Sequence, residues 1–326
     1  MASKIDARVG HRTNDFWLTL AAAVAGPSHF NAGRLCDDWF SAKLAGAWLA
    51  AVVCDGAGSA AKGREGARFF AEGIVDRLTA EVPNRDPCMN LRTLVGAIVA
   101  DLRSELGQSL NDDSDSLSDY HTTVVGVIAR RGRGLFFHIG DGAAVAFRNG
   151  PADDPSPPEE ADERNNPDPP PGAGEDARPV DERSFDDGQA GAACAGRRSW
   201  TEVAISQPFN GEYANETVFV TMDDWREHLR FRGFVGAECL TLMTDGVTSF
   251  ALQRFEDETD PEFIEPLLNY FDGCHDRSAA IALAKTLDRD DARKASGDDK
   301  TFLWAAPVAD QPIAEGGEAG DGREDH

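Results

Sequence analysis

The 326-residue chain predicts an α+β fold in which antiparallel sheets are covered by helix pairs. Three observations carry that prediction. Short apolar runs bounded by turn residues recur along the chain and read as strands. Longer stretches with a 3.6-residue apolar period come two at a time. The order is strands, a helix pair, strands, a helix pair and a last strand, which departs from strict βαβ alternation.

The strand-like runs are 16–25, 46–54, 122–130, 134–139, 143–148, 199–206, 217–221, 238–244 and 301–306. Within them, "TTVVGVIARRGRGLFFHIGDGAAVAFRNG" predicts three consecutive antiparallel strands with "RGRG" and "GDG" as the turns. The first helix, over 60–80, places Ala67, Phe70, Ala71, Ile74 and Leu78 on one stripe. Residues 90–107 repeat the pattern with Leu91, Leu94, Val95, Ile98, Leu102 and Leu106. Two more helices are expected at 261–272 and 276–289.

Composition breaks at residue 151. From Pro151 to Ala195 the chain holds nine of its 17 prolines, and thirteen acidic residues against three arginines. Such a segment buries too little apolar surface to offset the entropy of ordering it, so a disordered acidic insertion is expected at 151–195. Residues 307–326 predict a similar tail, leaving 1–306 as the folded domain around the insertion. These two pieces carry about fifteen of the 25 net negative charges, so the folded part is only mildly acidic.

The charge of −25 argues against a nucleic-acid binder, which needs a basic face for phosphates. No run approaches the ~20 apolar residues of a membrane span. "FWLTLAAAVA" at 16–25 has the look of a short signal sequence ending in A-x-A, but Asp6 and Asp15 dilute its basic flank, and a first strand is the stronger reading. The six cysteines form no CxxC pair and suit buried free thiols in a reducing compartment. A cytoplasmic protein is expected. "AKGREGARFF" lacks the GxxxxGK[ST] spacing of a phosphate-binding loop, and its glycines suit close helix–sheet packing.

Acidic residues recur at strand ends. Asp55 closes "LAAVVCDG", Asp141 closes "LFFHIGDG", Asp245 closes "CLTLMTDG", Asp298-Asp299 precede "KTFLWAA", and Asp37-Asp38 follow "GRLC". Any one Asp-Gly after a strand reads as a plain turn. Were the strands neighbours, four or five carboxylates would meet at one sheet edge, and buried unpaired carboxylates repel. Divalent cations resolve that conflict. Oxygen-only ligation selects Mg²⁺ or Mn²⁺, and a shared carboxylate would give a binuclear site suited to in-line phosphoryl displacement.

The ordered set Cys36-Asp37-Asp38, Asp55-Gly56-x-Gly58, His121-Thr122-Thr123, Gly140-Asp141-Gly142, Thr244-Asp245-Gly246 and Asp298-Asp299-Lys300 resembles the metal-dependent protein phosphatase 2C family. That family's pattern runs (E/Q)D, DGxGG, a TT or TS strand, GDS, (S/T)DG and a late DN. The resemblance spans residues 14–306 apart from the insertion. Each motif alone is weak, and the order of six gives the signal its specificity. The opening "GPSHFNAGRLCDDWF" is closest to a bacterial branch whose first motif reads SH…CQD.

The resemblance implies a four-layer α-β-β-α sandwich and a protein serine/threonine phosphatase. Its cofactors would be two Mn²⁺ or Mg²⁺ ions with a weaker third. Asp55 matches the carboxylate that bridges the two metals, and the Gly56 carbonyl ligates one of them. Asp245 and Asp299 match direct ligands, Asp38 one that acts through water, and Asp141 the ligand of the third ion, partnered by Asp245. The implied nucleophile is a metal-bridging water or hydroxide. The implied partners are phosphoserine or phosphothreonine proteins and a cognate kinase.

Several positions depart from the family pattern. Asp37 stands for Glu or Gln, Ser59 for Gly, Gly142 for Ser and Lys300 for Asn. Ala57 occupies the place of a His that some members use as an acid. Gly33 stands where a phosphate-binding Arg is usual, leaving Arg34 or His29 for that task. His121, His138, Thr122 and Thr123 read as structural. The competing function is a non-catalytic phosphatase-fold sensor or binding module.

Overall fold

The computed structural model describes residues 7–84, 90–110, 115–150, 198–209, 217–253 and 258–308. The expected insertion at 151–195 and the tail beyond Val308 lie outside them. In chain order the elements begin with β1 (Ala7–Thr13), β2 (Trp17–Val24), α1 (Pro27–Asn31), β3 (Trp39–Ala45), β4 (Trp48–Cys54), α2 (Gly63–Glu81) and α3 (Leu91–Ser109). Next come β5 (Val124–Arg130), β6 (Arg133–Ile139), β7 (Ala143–Asn149), β8 (Trp200–Ser206), α4 (Trp225–His228), β9 (Arg230–Val235) and β10 (Cys239–Met243). The chain finishes with α5 (Asp245–Ala251), α6 (Pro261–Gly273), α7 (Arg277–Leu287), α8 (Asp290–Ala295) and β11 (Lys300–Pro307).

Two antiparallel sheets result. The first has the order β1-β2-β11-β10-β7-β8 and the second β3-β4-β5-β6-β9. Strand alternation builds the layers. In β4, Ala50, Val52 and Cys54 face α2 and α3, while Leu49, Ala51 and Val53 face the opposite sheet. In β11, Phe302 and Trp304 face α6 and α7, while Leu303 and Ala305 point inward. The order is therefore helix pair, sheet, sheet, helix pair, the four layers expected. The middle layer is rich in small residues, among them Ala21, Ala51, Ala144, Ala146 and Ala305, which lets the sheets approach closely.

The four predicted long helices form where the apolar stripes place them, within a few residues at each end. Local chemistry sets their starts. Asn90 accepts from the Arg92 N–H at α3, Asp260 from the Glu262 N–H at α6, and Asp276 from the Ser278 N–H at α7. At Gly73 of α2, a Cβ would lie 2.6 Å from Leu102 of α3, so the glycine lets the two helices meet.

Three expectations are corrected. "RGRG" is a hairpin turn, with Arg131 and Gly132 at positive φ, but "GDG" is not. β6 pairs with β5 and β9, whereas β7 pairs with β8 and β10, so Gly140-Asp141-Gly142 carries the chain from one sheet to the other. Residues 217–221 form no strand ladder; the Val220 N–H donates to the Thr122 carbonyl and the segment turns instead. The run at 16–25 is the second strand, fully buried, because β1 precedes it as an edge strand. The strands β3 and β9 were likewise not anticipated.

Candidate metal centre

The two sheets deliver their acidic strand ends to one place. Asp55 follows β4, Asp141 sits on the crossing from β6 to β7, and Asp245 opens α5 directly after β10. Carboxylate oxygens of these three lie within 4.8 Å of one another. They floor a cleft of about 520 Å³ whose walls include His29, Ser59, Asp298, Phe219 and Met222.

Backbone and hydroxyl bonds fix this geometry. The Asp55 N–H donates to Thr123 Oγ1 at 3.0 Å, and the Asp55 carbonyl accepts from Thr122 Oγ1 at 2.7 Å and the Thr123 N–H at 2.9 Å. The two threonines thus hold the end of β4 as well as packing the strand. Gly56 is needed because a Cβ there would sit 2.4 Å from the Gly63 backbone. Thr217 Oγ1 donates to Asp141 Oδ2 at 2.7 Å.

Asp38 and Asp299 stand beside the three. Asp38 is 2% exposed, and Thr244 Oγ1 donates to its Oδ2 at 2.7 Å. The same Thr244 oxygen accepts the Thr301 N–H at 2.9 Å, so one hydroxyl ties Asp38 to the strand that follows Asp299. Asp299 is already engaged. Its Oδ1 accepts the Gly26 N–H at 2.7 Å, its Oδ2 accepts the Asp37 N–H, and His29 Nδ1 lies 2.9 Å from that Oδ2.

Burial and mutual repulsion set the electrostatics. Burial first, and Asp38 next, push the Asp55 carboxyl well above its ordinary range. Asp38 is pushed up by burial and by Asp299. Asp245 rises to about 7 through burial, Asp141 and Asp298. Asp141 rises through burial, with the Thr217 hydroxyl pulling the other way. Oδ1 of Asp38, of Asp141 and of Asp245 is buried and accepts no hydrogen bond. Orphaned carboxylate oxygens facing like charges are costly without a cation. The donor set is all oxygen, so the residues present fit Mg²⁺ or Mn²⁺.

The predicted site residues are therefore brought to one region, with one exception. Arg34 is half exposed, its guanidinium bonds Asp37 Oδ2 at 2.8 Å, and it does not line the cleft. His29 does line it. His138 is structural as expected, fully buried with Nδ1 3.1 Å from Ser206 Oγ. His121 contacts Thr221 and stacks on Phe219 at 4.8 Å.

Sequence reasoning did not single out Thr217 or the cleft wall at Phe219 and Met222, and it quoted Thr244 only as part of a motif, with no role. The Thr244 contact with Asp38 spans 206 residues and could not be read from its motif. Thr217 lies 76 residues from Asp141 and carries no local signal.

The family model described as "Protein phosphatase 2C" matches residues 25–166 and 187–288. Serine/threonine-protein phosphatase 3 of Escherichia coli (strain K12) is 23% identical over 303 residues, covering 89% of this chain and 99% of that protein. A crystal structure of a bacterial serine phosphatase superposes with a TM-score of 0.50 at 14% identity, covering 94% of this chain and all of the other. A variant of a bacterial serine phosphatase gives 0.51 at the same identity and coverage.

Proposed function

The chain belongs to the protein phosphatase 2C family, and from that premise we propose that it is a metal-dependent, cytoplasmic protein serine/threonine phosphatase. The observation that carries the proposal is the convergence of Asp55, Asp141 and Asp245 on an open cleft, with a buried oxygen of Asp141 and of Asp245 lacking a donor. The substrates are phosphoserine or phosphothreonine proteins, the products of a protein kinase.

Two Mn²⁺ or Mg²⁺ ions would be held by Asp55, the Gly56 carbonyl, Asp245, Asp299 and Asp38, with Asp141 and Asp245 holding a weaker third. Bound there, such ions supply Lewis-acid charge for the phosphoryl oxygens and bring the proton affinity of a water toward neutrality. The protein's own residues hold the frame. Thr122 and Thr123 fix Asp55, Thr217 orients Asp141, and Thr244 aims Asp38. Gly26, Asp37 and His29 set the plane of the Asp299 carboxylate. Phe219 and Met222 give the cleft an apolar wall for the peptide beside the phosphorylated side chain. His29, between Asp299 and the cleft, is better placed than Arg34 to meet the phosphate.

Among the described residues no helix is long and apolar enough to cross a membrane. The test is hydrolysis of a phosphothreonine peptide by the purified chain with Mn²⁺, abolished by EDTA. Absence of turnover with both Mn²⁺ and Mg²⁺ would leave the non-catalytic binding module as the better account.

A further inference from the structure

Lys300 stands where the family pattern has Asn, and it is 1% exposed, among the largest fully buried side chains. A lysine is almost never buried so completely without partners. Its Nζ donates to the Ser296 and Asp298 carbonyls, each at 2.8 Å, closing the turn that presents Asp298 and Asp299. Its stem runs beneath the start of α5: a Cβ on Gly246 would lie 3.2 Å from Lys300 Cγ. The lysine thus touches both acid-bearing segments of the first sheet. Burial lowers the Lys300 pKa, and the nearby Asp298, Asp299, Asp38 and Asp288 act against that shift. Three of them belong to the cleft or its first ring of acids.

A turn could be closed by a neutral amide, as the usual Asn suggests. A charged group beside Asp298, Asp299 and Asp38, at the edge of the acidic cluster, does something more. We propose that Lys300 is a resident counter-cation of the metal centre: its ammonium offsets the buried carboxylates when the site is metal-free and opposes the entry of divalent ions. The lysine therefore trades metal affinity for stability of the metal-free chain. This rests on the reading that these carboxylates take up divalent cations.

The test compares full-length wild type with Lys300→Gln, which keeps an amide donor for the turn and loses the charge, and with Lys300→Met, which loses both. Melting is measured in EDTA and in saturating Mn²⁺, and Mn²⁺ affinity by titration calorimetry. The counter-cation role predicts that Lys300→Gln melts lower than wild type in EDTA and nearly level with it in Mn²⁺. It also predicts Mn²⁺ binding about tenfold tighter, the size expected when one charge is removed from a partly buried site. Lys300→Met should show the same rise in affinity with a larger loss in EDTA. Equal losses in EDTA and Mn²⁺, unchanged or weaker Mn²⁺ binding by Lys300→Gln, or failure to fold even in saturating Mn²⁺ would each overturn the proposal in favour of a simple turn clamp. Wild type that takes up no Mn²⁺ would instead remove the metal reading. The EDTA comparison still decides for Lys300 in that case, since equal melting of wild type and Lys300→Gln overturns it.

Discussion

Replacing Gly246 by Ala tests whether the two acid-bearing segments of the first sheet must touch. Gly246 is the second residue of α5, beside Asp245. A Cβ built there would lie 1.9 Å from the Asp299 carbonyl oxygen, whereas real Cβ atoms essentially never come under 3.0 Å. The obstacle is backbone, so no rotamer relieves it. Gly246→Ala must move the start of α5 away from the Asp299 turn by about 1 Å, costing about 1–3 kcal/mol as overpacking does. For a domain of this size each kcal/mol lowers the melting temperature by about 2–4 °C. The same shift separates Asp245 from Asp299, while metal–oxygen distances tolerate only about 0.2 Å. Mn²⁺ affinity by calorimetry should fall at least tenfold, on the order of 1.4 kcal/mol, with phosphopeptide hydrolysis falling in step. Wild-type melting together with wild-type Mn²⁺ affinity would refute the claim that this contact sets the site.

Asp55→Asn should abolish Mn²⁺ uptake and hydrolysis while raising the melting temperature in EDTA, because it removes a buried charge that Asp38 and Asp245 oppose; a lower metal-free melting temperature would contradict the repulsion. A pH series in EDTA reads the same strain through Asp245, whose pKa of about 7 in the folded chain lies above the ordinary 3.8. The folded chain then holds a proton that the unfolded chain has released, so this contribution is fully present below about pH 4 and lost as pH rises through about 7. Metal-free protein should therefore melt higher near about pH 5.5 than near about pH 8, and saturating Mn²⁺ should reverse that order, since metal binding competes with protons. Thr217→Val should weaken binding of the weakest Mn²⁺ class in calorimetry and leave the tighter classes within a few-fold, because its hydroxyl touches Asp141 alone among the acids.

The sequence was most legible where a residue's surroundings are local or symmetric. The four long helices announce themselves through apolar stripes, and the central strands through continuous apolar runs such as "LAAVV" in β4. The strands that went unread are β1, β3 and β9, all at sheet edges. An edge strand is less enclosed, so its composition mixes: "ARVGHRT" and "RFRGFV" carry two arginines each, where the central strands carry at most one. The "GDG" turn misled for a different reason. Turn residues specify that the chain reverses, not which sheet it joins next. Gly140, at φ 108°, sends it across to the other sheet.

The acidic site was legible as a set of strand-end aspartates, and three of them meet as expected. What could not be read was how each is held. Thr217 and His29 reach their carboxylates across 76 and 270 residues of chain, and such contacts leave no periodic trace. Arg34 illustrates the converse. Its place beside Gly33, where the family pattern has an Arg, made it a phosphate candidate, and its nearness to Asp37 lets that acid claim it, three residues away.

The small-residue layer between the sheets has a consequence for how the molecule keeps its alignment. Alanines and valines pack closely but interlock poorly, so they resist separation better than sliding. Asp38 and Asp55 are carried by the second sheet, Asp245 and Asp299 by the first, and Asp141 by the strap joining them. Ions gripped by all five would work as a rivet through two plates, set at the rim where the acidic strand ends meet. The acidic cleft is then a gauge of sheet alignment. A bulkier side chain in the middle layer, such as Ala51→Val, would register as altered ion binding before it registered as unfolding.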